Sequence, residues 1–467
     1  MRHLEERGAL RPRRALSVLA VVALALSAIG ITPIASATLP QVPVLALERT
    51  VPTRPFVGSR VRTTDHEGSA YVPRDRSLWL ADDDGHALYE IDPSTGALKR
   101  TISGARLAKM QELGGGPRAG SSRVAEIQGL AYDPSLDTLY AYSGTCCPSK
   151  ILSTAFRLTR KDGVLKPDSY QPLPLGLQVE GAAWNPCDGR VYIGSHASIW
   201  AHDYVSNKLS KRFGVPGIEH LYGMDFSDDG QDLFVAQPYT RVTRVEWATR
   251  TVKPGWDLDL AGLGPQDIRG VELVGDRLWV SDGSDNRPPG DPLDHALFVF
   301  GVGATGPVSA LPSGNQRNVF GNSGFERDLC GWDAVLAPDK VALTRVTGGH
   351  SGGWAARVER TKGKGALTLE AVPALVVKKR RQHTYKGSLW VRSSAPGAEL
   401  RLRLRELYAS RYVESEKIST VRLTRSWKKV TVSLKSGGYA RRITFDATIK
   451  KARKGTSFVV DDARLRP

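Results

Sequence analysis

The sequence predicts an all-β protein in two unlike parts, and three observations predict it. Short alternating apolar segments, rich in Trp and Tyr, run between Gly- and Pro-marked turns, which is a strand composition rather than a helical one. Five segments of the first half repeat one pattern: DHEGSAY (65–71), EIQGLAY (126–132), QVEGAAW (178–184), HLYGMDF (220–226) and DIRGVEL (267–273). After a Gly- and Pro-rich stretch the pattern changes to longer period-two strands that run to the end of the chain.

The first element reads as a leader. A basic head precedes an apolar run from Ala15 to Ile31, and Ala35-Ser36-Ala37 gives a small-x-small cleavage pattern. Residues 1–37 are therefore expected to be a secretory signal peptide. An uncleaved anchor is the alternative, since the run approaches membrane-spanning length. Arg13-Arg14 also fits the twin-arginine route. The expected mature protein is secreted or cell-wall associated, without a further membrane span, and monomeric.

Charge separates the two parts. Residues 318–467 hold 31 Lys and Arg against 13 Asp and Glu, whereas residues 38–317 hold 29 against 33. A cationic secreted domain points to an anionic polymer partner, with a merely solvated basic surface as the alternative. Secretion and the lack of an aromatic-basic RNA-binding strand argue against nucleic acid.

The repeat occupies residues 38–302. Each repeat glycine (Gly68, Gly129, Gly181, Gly223, Gly270) is followed by a turn and a second apolar strand, such as SLWLAD or RLWVSD, then a third and a fourth. Four short strands at this period predict propeller blades. Five blades are visible, and residues 102–125 leave room for a sixth or for a loop with a short helix. The last blade stops after three strands, so Leu45–Val51 is expected to supply its fourth and close the ring.

Read across the repeats, one face collects polar side chains around the axis. The position before each glycine holds Glu67, Gln128, Glu180, Tyr222 and Arg269, and two positions earlier lie Asp65, Glu126, Gln178, His220 and Asp267. Second strands end in Asp82, Ser143, Ser195, Gln237 and Asp282. Glu67, Glu180, His220 and Arg269 are the catalytic candidates, and Glu67, Asp82 and Asp282 the candidate ligands of a divalent metal. Arg269 would otherwise neutralise its acidic neighbours. No G-x-S-x-G elbow or HExxH helix is present.

The EG-x-x-W/Y units, the strand TLYAYS and the turn Asp92-Pro93-Ser94-Thr95-Gly96 resemble the NHL and gluconolactonase/regucalcin-like propellers over residues 65–300. That resemblance implies a catalytic metal held by Glu67 and Asp282, although the proline that follows EG in the family motif is absent here. Propellers of this kind serve as hydrolases, lactonases and binding scaffolds alike.

Only four cysteines occur. Cys146 and Cys147 follow a second strand, while Cys187 lies in a turn on the opposite face. A strand separates those faces by roughly 20 Å, and a disulfide needs Cα atoms within about 7 Å. A vicinal Cys146–Cys147 bond is therefore expected, with Cys187 joined to Cys330 of the second domain.

Residues 303–317 read as a linker. Residues 318–467 then open with NVFGNSGFERDLCGW, pass through GGHSGGWAARVE and end in SFVVDDARLRP. These motifs resemble the carbohydrate-binding modules of families 4 and 9. The resemblance implies a jelly-roll β-sandwich and a structural Ca²⁺ held by Glu326 with Asp461 or Asp462. Trp332, Trp390 and Trp427 sit where core tryptophans would, while Tyr408 and Tyr412 look exposed. Arg401, Arg403 and Arg405 alternate with Leu402 and Leu404, so one strand face is triply cationic. That row is the expected floor of a groove for an acidic glycan, unless Glu399 and Glu406 pair with it.

The expected function is binding of extracellular or cell-wall polysaccharide, with the jelly roll anchoring and the propeller recognising a second ligand. The alternative is a metal-dependent hydrolase or lactonase in the propeller, targeted by the jelly roll.

Overall fold

A computed structural model describes residues 45–53, 66–83, 85–113, 126–144, 153–173, 177–283, 287, 291, 293, 296–302, 320, 322–334, 340–372, 375–376, 383–394, 396–408, 412–437 and 442–466. Five four-stranded antiparallel sheets form the first part. Their innermost strands are His66–Val72, Ile127–Asp133, Gly181–Asn185, Met224–Phe226 and Ile268–Val274. The fifth blade takes its outermost strand from the start of the described chain. Ala46–Val51 pairs antiparallel with Leu297–Gly301, so the two ends of the propeller are laced into one sheet. Between the first and second blades lies one helix, Gly104–Leu113. Among the described residues the propeller has five blades.

The repeat glycines explain how so few blades close. Each innermost strand lies backbone against backbone with the next. A Cβ on Gly129 would fall 2.9 Å from the Ala182 nitrogen, one on Gly223 2.5 Å from the Gly270 Cα, and one on Gly270 2.5 Å from the Glu67 carbonyl oxygen. Only a residue without a side chain permits that approach. The glycines form a waist on the axis, with one mouth on each side. Apolar clusters fill the spaces between blades. One packs Trp79, Leu88 and Ile102 of the first blade against Leu130, Phe156 and Leu158 of the second.

The second part is a sandwich of two sheets. The front sheet orders the strands Trp332–Asp333, Lys364–Ala371, Arg442–Arg453, Glu399–Tyr408 and Tyr412–Arg422, with Leu375–Val376 also on Arg442–Arg453. The back sheet orders Val341–Thr347, Trp354–Arg360, Ser457–Arg466, Thr384–Arg392 and Lys428–Lys435. Period-two alternation buries Leu400, Leu402 and Leu404 against Phe445, Phe458 and Leu389. Trp332 joins this core. Trp390 and Trp427 do not, contrary to the reading from sequence, because each stands on the outward side of the back sheet.

The two parts are covalently joined. Cys187 in a turn of the third blade is disulfide-bonded to Cys330, with Cα atoms 4.6 Å apart. The Gly331 N–H donates to the Cys187 carbonyl at 2.7 Å, and Arg190 pairs with Asp333. Cys146 and Cys147 lie outside the described residues. Among the described residues, no helix is long and apolar enough to cross a membrane.

Candidate functional site

At the mouth above the glycine waist, the fold brings four expected residues into one cluster. Arg269 reaches Glu67 at 3.4 Å and holds Asp267 at 2.9 Å. His220 Nε2 lies 3.1 Å from Glu180 Oε1, and the His196 backbone N–H donates to the other Glu180 oxygen at 2.8 Å. Tyr222 links the two halves: the Arg269 guanidinium lies over its ring, 4.4 Å from the centroid, and the His220 ring packs against it at 4.9 Å. Burial pushes the Glu180 carboxyl above its ordinary range, opposed by the His196 N–H and by His220. The sequence missed His196 and undervalued Tyr222. His196 sits just past the second strand of its blade, one residue beyond the aligned position, in a turn with φ of 52°.

The expected propeller metal ligands are not brought together. Glu67 faces a guanidinium. Asp82 accepts the Gly85 N–H at 2.9 Å and the Tyr89 hydroxyl at 3.0 Å. Asp282 accepts the Asp267 N–H at 2.9 Å and pairs with Arg287 at 3.2 Å. Both aspartates thus shape their own loops, and these residues do not fit a metal centre. Among the described residues, no group of three His, Cys, Asp or Glu stands in metal-holding geometry.

In the sandwich the front-sheet arginine row is already neutralised. Arg403 binds Asp446 at 2.9 Å and Glu416 at 3.4 Å. Arg405 reaches Glu370 and Asp446, each at 3.5 Å, and Arg401 holds Glu399 at 3.3 Å. Glu406, offered as a partner, is on the inward side and accepts the Ser415 hydroxyl and the Gly437 N–H. Burial pushes the Glu370 carboxyl up, with Asp446 adding to it and Arg405 and Arg190 of the propeller opposing. The expected groove floor is therefore an ion-paired surface. Tyr408 and Tyr412 pair across the end of a hairpin, and their side chains lie outside the described residues.

The back sheet presents the opposite picture. A groove of about 560 Å³ is lined by Lys386, Lys429, Arg464 and Arg466, with Ser388, Thr431 and Ser433 between them. Register explains the grouping: Lys386 stands opposite both Arg466 and Ser433, and Ser388 opposite both Arg464 and Thr431. All four cations are exposed. Its lining contains no Asp or Glu. Trp390 lies next along the same outward face, directly opposite Lys429. His350 stacks on Trp390 at 3.8 Å, and the Arg392 guanidinium lies 4.7 Å from the Trp427 ring centroid. The arrangement is a cationic, hydroxyl-bearing trough that ends in an aromatic platform. Its signal in the sequence is alternation without acids: Lys386-x-Ser388, Lys429-x-Thr431-x-Ser433 and Arg464-x-Arg466.

The expected calcium ligands converge on the loop at 349–354. Glu326 accepts the Gly353 N–H at 3.1 Å, and Asp461 accepts the His350 N–H at 2.6 Å. Both flank Gly324, where a Cβ would lie 3.8 Å from an atom of each. Hard carboxylate oxygens from the two ends of the domain fit Ca²⁺ chemically. Asp462 is turned away, to His350 Nδ1 at 2.7 Å and the Ser351 hydroxyl at 2.6 Å.

No family model and no curated relative matches the chain. Solved structures resemble its parts. The carbohydrate-binding module TmCBM61, solved with β-1,4-galactotriose, is 19% identical and covers 32% of this chain and 97% of its own, with a TM-score of 0.25. The glutaminyl cyclase of Myxococcus xanthus is 13% identical over 55% of this chain and 96% of its own, with a TM-score of 0.37. The β-propeller domain of Cps50 (Swd1) from Myceliophteria thermophila is 13% identical over 51% and 65%, with a TM-score of 0.29. What those proteins bind or catalyse is theirs alone.

Proposed function

We propose that the protein is an extracellular polysaccharide-binding protein whose back-sheet trough takes an acidic glycan. The observation that carries this reading is the Lys386, Lys429, Arg464 and Arg466 groove with no carboxylate in its lining. Four like charges in one trough repel each other, and a polyanion relieves that repulsion. Serine and threonine hydroxyls supply hydrogen bonds to sugar hydroxyls, and Trp390 a face for a sugar ring. The leader-like residues 1–37 and the Cys187–Cys330 bond support an oxidising, extracellular setting. The upper mouth of the propeller, with Glu180, His220, Tyr222 and Arg269, serves as a second, mixed-charge recognition surface in this reading. A calcium ion bound by Glu326 and Asp461 would fasten the loop at 349–354 beside the platform.

The test is titration of the protein with a uronate polymer and with a neutral glucan at several salt concentrations. Binding through the trough predicts that uronate affinity falls steeply with salt while neutral-glucan binding stays absent or salt-independent. Equal binding of both polymers sinks the proposal.

A further inference from the structure

Below the glycine waist, the propeller holds a cavity of about 300 Å³ on the mouth opposite the Glu180 cluster. Tyr71, Tyr132, Trp184 and Phe226 wall it, and Asp225 and Glu272 line it. Its shape follows from the repeat. Two residues after each repeat glycine stand Ala70, Ala131 and Ala183 in three blades, but Asp225 and Glu272 in the adjacent fourth and fifth. Three small side chains open the space, and two acids occupy one side of it.

Each acid has one evident structural task. Asp225 accepts the Leu273 N–H of the next blade at 2.8 Å, and Glu272 accepts the Tyr71 N–H of the blade after that. Asn and Gln would accept the same N–H groups without bringing buried charge, so clipping blades together does not account for acids. Among the described residues, no Lys, Arg or His pairs with either carboxyl, and Asp228 adds a third acid to the lining. Glu272 is 5% exposed. Burial raises both carboxyls, Asp225 to about 7; Asp228 adds to the rise at Asp225, and Asp225 and Asp228 add to the rise at Glu272. Two adjacent carboxyls in a poorly solvated place resist joint ionisation until a cation arrives. Ser69 and Ser227 add hydroxyls to the same lining.

We infer that this cavity is a binding site for a small hydroxylated amine of amino-sugar type. Its ammonium lies against Asp225 and Glu272, its hydroxyls meet the Ser69 and Ser227 hydroxyls of the lining, and the apolar face of the ligand packs on the tyrosines. The ring faces of Tyr71, Tyr132, Trp184 and Phe226 suit such an organic cation, and a divalent metal on the Asp225, Asp228 and Glu272 carboxyls is the competing outcome that the test separates. This site is separate from the sandwich trough, and either stands without the other.

The probes are glucosamine and glucose, which differ only by ammonium for hydroxyl at one carbon, titrated into the full chain by calorimetry. Glucosamine is expected to bind at least about tenfold more tightly than glucose, since hydrogen bonds to a charged partner carry that much. At pH 6.5 its binding should release a proton, read from heats in two buffers of different ionisation enthalpy. Asp225→Asn and Glu272→Gln each keep an acceptor for the blade clip and are expected to abolish the preference for glucosamine while the thermal midpoint is held or raised. Equal affinity for the two sugars, no binding, no proton release, or an unchanged preference in both variants overturns the inference. Calcium chloride that competes with glucosamine, with its own binding lost in Asp225→Asn, overturns it in favour of a metal site. The proton-release measurement uses the unmodified protein, so the test stands even if a variant fails to fold.

Discussion

The two faces of the sandwich carry similar numbers of cations and have opposite electrostatics. On the front sheet, Arg401, Arg403 and Arg405 are ion-paired with Glu399, Glu416, Glu370 and Asp446. On the back sheet, Lys386, Lys429, Arg464 and Arg466 stand among Ser and Thr. The difference lies in the neighbouring strands. Arg403 has Asp446 directly opposite it on one side and Ile418 on the other, with Glu416 two residues along. Lys386 has Arg466 on one side and Ser433 on the other. A cationic strand is a binding surface only when the strands beside it leave the charge unspent.

The largest expected effect breaks the contrast from the back. Replacing Lys386, Arg464 and Arg466 together with Ala should weaken uronate binding about thirtyfold at low salt, on the basis of up to about 1 kcal/mol per exposed charge pair. The slope of affinity against salt should flatten in the same variant. These side chains are exposed and without acidic partners in the described structure, so the thermal midpoint should stay within a degree or two of the parent or rise slightly as repulsion is relieved. Binding assays on the triple variant check both points. An unchanged affinity would return the trough to an ordinary basic surface.

The second effect breaks the contrast from the front. Arg403→Ala leaves Asp446, 1% exposed, with Arg405 at 3.5 Å and the Thr448 hydroxyl at 3.1 Å. Stripping the main partner from a buried carboxylate should cost about 2 kcal/mol, less than a fully buried pair because Arg403 itself keeps partial exposure. Denaturant melts read this loss, and uronate affinity should not move. A variant that binds poorly yet is as stable as the parent would restore the front row as the glycan floor.

How much of this was readable beforehand depends on distance along the chain. The repeat glycines announce the blades because each local unit repeats the same strand-turn-strand, and Leu45–Val51 offered itself as a missing strand because the last blade ended early. Glu180 and His220 came together because both positions are set by the same repeat frame. Arg403 and Asp446 are 43 residues apart, and only strand order makes them neighbours. Apolar neighbours in sequence likewise placed Trp390 and Trp427 in the core, whereas pairing puts Trp390 beside Lys429 on an outward face. The Asp225 and Glu272 pair is visible as a departure from Ala in the aligned repeats, but the polar residues of the upper mouth are more numerous and mask it.

A third, smaller effect sharpens the back sheet alone. If calcium sits between Glu326 and Asp461, free calcium at tenfold its dissociation constant should stabilise the protein by about 1.4 kcal/mol. A chelator should remove that gain, and Glu326→Gln should abolish the response while leaving the acid-free trough in place. A melt indifferent to calcium and chelator would assign both acids wholly to their N–H partners in the loop at 349–354.

The smallest effect separates charge from pairing within the front row. Among the described residues Arg401 holds only Glu399, two residues away on its own strand, and both are partly or largely exposed, at 32% and 60%. Solvent screens such a pair, so Arg401→Ala should change stability by no more than about 0.5 kcal/mol. It should leave uronate affinity unchanged, although it removes as much formal charge as any single trough substitution. That null result is informative beside Lys386→Ala, which also deletes one positive charge and should cut affinity several-fold. If the two single variants weaken binding equally, net charge rather than the trough is what the polymer feels, and the distinction between the two sheets would have no functional meaning.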